Sequence, residues 1–219
     1  MNEIIEISPA TSADIDFVID TIIEAEKSGT EKMSFCNIFS MTEPEVRLLL
    51  KRILEKDVTG QELSYSEYLI CRVDGEYAGA CTSWIEEENG YSAALLKADL
   101  LFDFVEREKL IEAQRIFSLI QGVNIEREPG TLQIAYAYVK PKFRGRGIIG
   151  LLMNEHIKNQ KNRVPGINKA QLRITKTNEN AARAYEKIGF VKIYERTVDN
   201  DEILKILPAK TKILMEKTF

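Results

Sequence analysis

Near the N-terminus, the hydrophobic residues first follow the spacing of a strand and then the spacing of two helices. A short apolar run at residues 4–7 predicts a strand, and Ser12 is placed to cap a helix over residues 13–26. A second helix is predicted over residues 45–56, with Pro44 in its first turn, and a polar segment at 27–42 separates the two. Each helix carries one apolar stripe, formed by Ile15, Val18, Ile19, Ile22 and Ile23 in the first and by Val46, Leu49, Leu50, Ile53 and Leu54 in the second.

The middle of the chain predicts a hairpin followed by a helical insertion. Residues 68–73 and 77–85 have strand patterns and are joined by Asp74-Gly75, a dipeptide that favours a hairpin because it tolerates positive φ. We therefore expect the two strands to be antiparallel neighbours. From residue 92 to residue 121 the apolar residues recur at helical spacing, which predicts a pair of inserted helices.

The C-terminal half predicts a βαβ unit. A strand at 131–139 is followed by a turn at 141–146, a helix at 147–162 and a strand at 170–175. A short helix at 180–188 ends at Gly189, and the last two strands are predicted at 191–198 and 210–217. The pattern indicates a mixed α/β fold of the α+β class. No linker or internal repeat divides the chain, so we expect one domain over residues 1–219.

Composition narrows the class of protein. The 219 residues are 44% hydrophobic and 29% charged, as in a folded, water-soluble chain. The apolar runs are far too short to span a membrane, and residues 1–8 carry acidic rather than basic charge, so we expect neither membrane insertion nor export. The cysteines Cys36, Cys71 and Cys81 lack metal-ligand spacing, which predicts reduced thiols, no metal and a cytoplasmic location.

The distribution of charge indicates a small anionic ligand. The formal net charge is -4 and there is no long basic run, so nucleic acid is not an expected partner. One local basic cluster stands out, made of Lys140, Lys142, Arg144 and Arg146. A cluster this small suits a single anionic group better than a polyanion.

A glycine-containing turn lies inside that cluster, between a predicted strand and a predicted helix. Its sequence is Arg144-Gly145-Arg146-Gly147-Ile148-Ile149-Gly150. Glycines let the backbone approach a ligand, and the free N–H groups at a helix N-terminus favour phosphate. The turn could therefore hold a pyrophosphate. The alternative for the turn alone is a basic connection exposed to water.

A dinucleotide site is a second alternative, because Gly145, Gly147 and Gly150 also satisfy the G-x-G-x-x-G spacing. Such a site normally places its glycine turn directly at the strand end and an acidic residue at the end of the next strand. Here residues 141–143 intervene, and the next strand ends in Thr175-Lys176-Thr177. Both departures argue against a nicotinamide cofactor.

A second motif follows about thirty residues later and reads Asn-Glu-Asn-Ala-Ala-Arg-Ala-Tyr-Glu-Lys-Ile-Gly-Phe over residues 178–190. It predicts a helix start, a short helix and a glycine stop, with Ala181, Tyr185 and Ile188 on one face. In order and spacing, residues 139–153 and 178–190 together resemble the two central motifs of the GNAT N-acetyltransferase superfamily. The resemblance covers about residues 132–190. It implies a central, mostly antiparallel twisted sheet flanked by helices, acetyl-CoA as cosubstrate, and acetyl transfer to an amine.

The resemblance also implies roles for individual residues. The first motif of the family reads approximately Arg-x-x-Gly-x-Gly/Ala and matches Arg144 and Gly147, whereas Ile149 departs from it and Gly150 comes one residue late. In the family, the backbone amides of this turn hold the CoA pyrophosphate, and the preceding strand lines the pantetheine arm. The residues expected to bind the cofactor are therefore Val139, Arg144, Gly145, Arg146, Gly147, Ile148, Ile149, Gly150 and Asn178. Tyr185 is the expected general acid, because a phenol is protonated at neutral pH and can donate to the departing thiolate.

The general base is not assigned by the sequence, because the strand at 131–139 has no carboxylate. Tyr136 and Tyr138 remain alternatives, and so do Glu86, Glu87 and Glu88, for which we expect instead a solvated acidic turn. His156 is expected to be a surface or packing residue, and Cys71 and Cys81 to be core residues.

Three interpretations stay open at this point. The chain could be an acetyltransferase, a non-catalytic acetyl-CoA-binding or sensor protein, or a dinucleotide-binding oxidoreductase. The acceptor could be a small-molecule amine or a peptide amine. The insertion at 92–121 could reshape the acceptor pocket or form a subunit contact in a homodimer.

Overall fold

The strands of the described chain form one seven-stranded sheet. The computed structural model describes residues 3–28 and 30–219, so the parts of the predictions for residues 1–8 and 27–42 that fall on Met1, Asn2 and Gly29 lie outside the described residues. The strands are β1 (Ile5–Pro9), β2 (Tyr68–Val73), β3 (Glu76–Ile85), β4 (Leu132–Val139), β5 (Lys169–Thr175), β6 (Val191–Thr197) and β7 (Thr211–Thr218). Their order is β1-β2-β3-β4-β5-β7-β6, and only β4 and β5 pair in parallel. The predicted mostly antiparallel sheet, the hairpin and the βαβ unit are confirmed.

Helices cover both faces of the sheet. They are α1 (Ile15–Lys27), α2 (Ser34–Phe39), α3 (Glu43–Lys56), α4 (Ala93–Phe104), α5 (Arg107–Gln121), α6 (Ile148–Arg163) and α7 (Glu179–Glu186). The inserted pair, α4 and α5, is confirmed. The predicted N-cap at Ser12 is wrong. Asp14 is the N-cap of α1, and Thr11 caps the 3-10 turn Ser12–Asp14 that precedes it, where Asp14 Oδ2 accepts from the Thr11 N–H at 2.8 Å.

The prediction missed α2, which lies within the segment expected to be polar and irregular. This helix is only six residues long, too short for a helical period to emerge from the sequence. Phe35 and Phe39 lie one turn apart and are both buried, so tertiary packing accounts for the helix better than its intrinsic propensity does.

Two hydrophobic cores lie on opposite faces of the sheet. One is built around α1, α3 and α4 and includes Ile22, Leu50 and Leu100. The other lies under α6 and α7 and includes Leu152 and Tyr185. Because side chains alternate along a strand, β2, β3 and β4 contribute residues to both cores. None of the helices in the described part of the chain is long and apolar enough to cross a membrane.

The sheet opens between β4 and β5. These strands pair only over three residues, from Leu132 opposite Ala170 to Ile134 opposite Leu172. Beyond that point both strands continue, β4 to Val139 and β5 to Thr175, without pairing to each other. The neighbouring pair β5 and β7 stays in register over seven residues. The carboxyl ends of β4 and β5 therefore diverge and leave a gap in the middle of the sheet.

Candidate active site

A cavity of about 900 Å³ begins at this gap and extends along the sheet face that lies under α1 and α4. The glycine turn, the N-terminal part of α7 and the diverging ends of β4 and β5 line one part of it. The other part is lined by polar side chains from α1, α4, β5 and β7 and from the segment after α5. The two sequence motifs and several residues that the sequence analysis did not single out therefore meet in one cavity.

The glycine turn presents backbone to the cavity. Gly145 and Gly147 have φ values of 79° and 75°, which are unfavourable for residues with a side chain, and a Cβ at either position would enter open space. Gly147 is the N-cap of α6, so the N–H groups of the first helical turn have no acceptor within the helix. Backbone donors and an open cradle are the features that a phosphate group requires.

The four cations of the basic cluster do not converge on one anion site, as the sequence had suggested. Only Arg144 of its four cations lines the cavity. Arg146 pairs with Glu3 at 2.5 Å, Lys142 pairs with Glu76, and Lys140 lies 5.3 Å from the centre of the Phe17 ring. The side chain of Arg146 is therefore directed to Glu3, and only its backbone is available to the turn.

The residues that follow Gly147 have separate roles. Ile148 is buried in the core under α6, and Ile149 is half-buried at the cavity wall. A Cβ on Gly150 would lie 2.9 Å from Cγ2 of Ile188. Gly150 therefore lets α6 pack closely against the turn that ends α7, and this contact joins the two motifs.

Val139 directs its backbone into the gap. The N–H of the next residue, Lys140, donates to the carbonyl of Ala78 at 2.9 Å, on the β3 side. Since successive residues of a strand direct their backbone groups to opposite sides, the N–H and C=O of Val139 point toward β5. The carbonyl accepts a hydrogen bond from Arg144 Nε at 3.1 Å, which leaves the N–H for a ligand.

Asn178 caps α7 and is half-buried at the cavity wall. Its Oδ1 accepts from the N–H of Ala181 at 3.3 Å. The oxygen is committed to the helix, so only the side-chain NH₂ group can donate to a ligand.

Tyr185 of the second motif lies on the cavity wall, with 8% of its surface exposed. Burial raises the pKa of its phenol well above the usual range, and the nearby Cys81 adds to the effect. Its ring packs 6.3 Å from that of Phe190. The hydroxyl group is therefore held in place and stays protonated at neutral pH.

A bulge in β4 forms the middle of the cavity wall. Ala80 and Thr82 of β3 pair with Tyr138 and Ala135 of β4, so one residue of β3 opposes two of β4. Tyr136, within the bulge, has a φ of 43°, which is rare for an aromatic residue. Its hydroxyl group donates to Oε1 of Glu26 at 3.3 Å.

Glu26 is the carboxylate that accepts this hydrogen bond from the β4 bulge. Its Oε2 accepts from the N–H of Ser34 at 3.2 Å. Burial raises the pKa of Glu26, against the opposing charges of Lys97 and Lys212. A carboxylate with a raised pKa is a stronger base than an ordinary one.

Glu62 anchors a charged cluster next to Glu26. It pairs with Lys97 and, at 3.4 Å, with Arg127. Although burial opposes ionisation, these two cations lower the pKa of Glu62 to about 2. The guanidinium of Arg127 also stacks over Trp84, 5.0 Å from the ring centre.

Arg173 and Lys212 complete the cluster from the sheet. Arg173 donates to the carbonyls of Ile125 and Glu126 and to Oε1 of Gln133, at distances of 2.5 to 2.9 Å. Burial and the charge of Arg127 lower the pKa of Arg173 to about 10. Burial lowers the pKa of Lys212 to about 8; Glu26 opposes this effect, and Lys97, Arg127 and Arg173 add to it. Both side chains line the cavity.

The acidic run at residues 86–88 is not the uniformly solvated turn that we expected. Glu86 is only 2% exposed and accepts hydrogen bonds from Trp84 Nε1 at 2.9 Å and from the N–H of Ala93 at 3.0 Å. Glu87 is exposed and Glu88 pairs with Arg163 on the surface, so the expectation holds for these two. Glu86 points inward, where its two hydrogen bonds join the start of α4 to the end of β3.

His156 is a packing residue, as predicted. Its Nδ1 lies 2.7 Å from Ser83 Oγ and its Nε2 lies 2.9 Å from the carbonyl of Cys81. Burial lowers its pKa to about 4, so the ring is neutral. Cys71 and Cys81 are buried free thiols in the core, also as predicted.

Comparison with known proteins relates the fold and the motifs to a family. No curated protein sequence matches the chain. Among solved structures, an N-acetyltransferase from Staphylococcus aureus Mu50 is 16% identical, with a TM-score of 0.62 over 96% of this chain and 99% of that one. Arylalkylamine N-acetyltransferase 2 from Aedes aegypti is 15% identical, with a TM-score of 0.59 over 98% of both chains. AAC(6')-Ib, solved in complex with ribostamycin and coenzyme A, is 16% identical, with a TM-score of 0.51 over 98% of this chain and 93% of that one.

These structures share the fold of the chain, while the family assignment comes from sequence. The model of the acetyltransferase (GNAT) family matches residues 33–190, which include the β4 bulge, the glycine turn and α7. The match covers well over half of the chain. The protein therefore belongs to the GNAT family and is an N-acetyltransferase.

Proposed function

We propose that the protein transfers the acetyl group of acetyl-CoA to a primary amine by direct attack of the amine on the thioester. One observation carries this proposal: a single cavity connects the glycine turn, Tyr185 and Glu26. It therefore brings together an anion cradle, a proton donor and a carboxylate with a raised pKa. Direct transfer requires these three elements and no covalent enzyme intermediate.

The glycine turn would hold the pyrophosphate of acetyl-CoA. The open space beside Gly145 and Gly147 accommodates a ligand that approaches the backbone, and the free N–H groups of the first turn of α6 can donate to it. The side chain of Arg144 adds a positive charge. The N–H of Val139 and the NH₂ group of Asn178 face the pantetheine arm in this assignment.

Tyr185 would act as the general acid. A bound acetyl-CoA supplies the thioester, and the phenol of Tyr185 donates its proton to the sulfur as the C–S bond breaks. The raised pKa keeps this proton on the phenol until the thiolate forms.

Glu26 would act as the general base, the role that the sequence left unassigned. Its carboxylate takes the proton that the attacking amine must lose as the new C–N bond forms. The hydrogen bonds from Tyr136 and Ser34 fix its orientation. Since burial raises its pKa, Glu26 is better matched to this task than a solvated carboxylate.

The acceptor would be a small molecule or peptide that carries an amine. Two of the similar structures, arylalkylamine N-acetyltransferase 2 and AAC(6')-Ib with ribostamycin, are named for or bound to small amine-bearing compounds. The free thiols of Cys36, Cys71 and Cys81 support a reducing compartment, and we place the reaction in the cytoplasm.

Titration calorimetry with acetyl-CoA, dephospho-CoA and NAD in one buffer tests the cofactor assignment. We expect acetyl-CoA to bind more tightly than NAD, and the loss of one phosphate to weaken binding. Turnover is then measured with a panel of amines. Binding of acetyl-CoA without turnover of any amine would favour a sensor, and preference for NAD would favour an oxidoreductase.

A further inference from the structure

The polar part of the cavity contains more positive charge than its own carboxylates balance. Four cations meet there: Lys97, Arg127, Arg173 and Lys212. The carboxylates of Glu26 and Glu62 face them, and Glu86 lies 4.0 Å from Arg127. Four cations thus oppose three carboxylates. Glu24, also at the cavity wall, pairs instead with Lys27 at 3.3 Å, and Lys27 lies 3.6 Å from Glu43 as well.

The excess charge is located on Lys212 and Arg173. The carboxylate of Glu62 already forms ion pairs with Lys97 and Arg127. Arg173 donates only to uncharged oxygens, and no carboxylate of the described residues lies within ion-pair distance of it. The Nζ of Lys212 has neither a hydrogen-bond partner nor an ion-pair partner in the described part of the chain. Both side chains nevertheless line the cavity.

These two cations share one face of the sheet. Thr175 of β5 lies opposite Lys212 of β7, and Arg173 lies opposite Leu214. Since every second residue of a strand faces the same way, Arg173 and Lys212 lie side by side under α1 and α4. Glu26 is near enough to Lys212 for each charge to shift the pKa of the other. Glu26 and the two cations can therefore contact different groups of one small acceptor.

We infer that the acceptor is an amine that also carries a carboxylate, with Lys212 and Arg173 binding the carboxylate and Glu26 facing the amine. The inference rests on the proposed acetyltransferase function. Arg173 has unused N–H donors, and Lys212 supplies a free cation, so both can form charge-assisted hydrogen bonds. The excess of one positive charge matches a singly charged carboxylate better than a doubly charged phosphate.

Matched acceptors test the inference directly. Leucine, leucinamide and isoamylamine differ mainly at the carboxyl group, and so do phenylalanine, phenylalaninamide and phenethylamine. We expect kcat/KM to be roughly ten- to a hundredfold higher for the free acid than for its partners in at least one set, because each partner lacks the charged hydrogen bonds. 2-Aminoethyl phosphate is the acceptor that carries a phosphate in place of the carboxylate.

Variants of Lys212 connect the preference to the proposed site. Lys212→Met should remove most of the preference for the free acid, and Lys212→Arg should restore part of it. Lys217→Met is the matched control: Lys217 lies on the opposite face of β7 and bonds to Asn154 at 3.2 Å. This variant should keep the wild-type preference.

Trp84 provides a readout that needs no turnover. It is the only tryptophan of the chain and lines the polar part of the cavity. Its emission should change when the preferred amino acid is added to the protein with CoA, and the change should be weaker in Lys212→Met.

Each outcome decides between the two proposals. A preference for the free acid that Lys212→Met abolishes supports the inference. If the neutral amines or 2-aminoethyl phosphate are acetylated as well as the free acids, the inference fails while the acetyltransferase function stands. If acetyl-CoA binds, no free acid in the panel is acetylated and Trp84 emission does not respond, the inference is overturned, whereas the acetyltransferase function is decided separately by the broad amine panel described above.

Discussion

Gly150 of α6 and Ile188, in the turn after α7, pack so closely that a single added carbon would separate them. A Cβ at position 150 would lie 2.9 Å from Cγ2 of Ile188. We expect Gly150→Ala to destabilise the protein by about 1 to 3 kcal/mol, because the added methyl overpacks the contact. Urea unfolding measures this loss. Ile188→Ala, which removes Cγ2, should recover part of it in the double variant, and additive effects of the two changes would contradict the direct contact.

A side chain at Gly147 should interfere with cofactor binding. Gly147→Leu places atoms in the open space beside the turn, so we expect acetyl-CoA affinity to fall by at least tenfold, measured by calorimetry. Gly166→Leu is the control, because Gly166 has a φ of 89° and open space around it but does not line the cavity. Equal affinities in the two variants would argue against phosphate binding at the turn.

Removal of the Tyr185 hydroxyl group should slow acetyl transfer and leave cofactor binding nearly unchanged. Tyr185→Phe deletes one oxygen and preserves the ring that packs near Phe190. We expect kcat to fall about a hundredfold, within the range of a lost general acid, with little change in acetyl-CoA affinity. A variant that turns over at the wild-type rate would exclude this role for the phenol.

The pH dependence of the reaction should reveal Glu26. Its pKa is raised, and only the ionised form can accept a proton, so kcat/KM should fall as the pH is lowered through that raised pKa. Glu26→Gln should be slow throughout and should lack this decline. The ionisation of the acceptor amine is common to both proteins and therefore cancels in the comparison. Glu24→Gln, two residues earlier on α1, should retain the wild-type profile.

His156 should make the fold sensitive to acid. Its pKa is about 4 in the folded protein against 6.5 when unfolded, so the folded state favours the neutral ring. This contribution to stability is complete above pH 6.5 and is lost as the pH falls toward 4, by about 3 kcal/mol in total. Urea unfolding from pH 7 to pH 4 measures the loss. His156→Gln should lose less stability over the same range, and an identical loss would assign the acid sensitivity to other groups.

The elements of the fold could largely be predicted because local patterns specify them. The bounds of β2 follow from its apolar run and from Asp74-Gly75, which adopt φ values of 49° and 80° at the hairpin. The apolar stripes of α1 and α3 are buried in one core, as expected. By contrast, α2 depends on the contacts of Phe35 and Phe39 with the rest of the chain, which the sequence alone does not reveal.

The two parts of the candidate site also differ in how far the sequence predicts them. The cofactor part consists of two continuous motifs, so a family resemblance was enough to propose it. The polar part joins Glu26, Lys97, Arg127, Arg173 and Lys212, which come from distant segments. Alternation in β5 does indicate that Gln171 and Arg173 share a face. It does not indicate that α1 and α4 cover that face, and a polar strand face is usually exposed to solvent.

The short pairing between β4 and β5 has a consequence for the lifetime of the protein in a cell. Only three residue pairs join the part of the sheet from β1 to β4 to the part from β5 to β7. A ligand in the gap contacts both parts and stabilises only the folded chain. On the proposed assignment, acetyl-CoA at 100 times its Kd adds about 2.7 kcal/mol. On that assignment, a larger fraction of the chains would unfold and be exposed to proteases when acetyl-CoA becomes scarce, so the abundance of the enzyme would follow the supply of its cosubstrate.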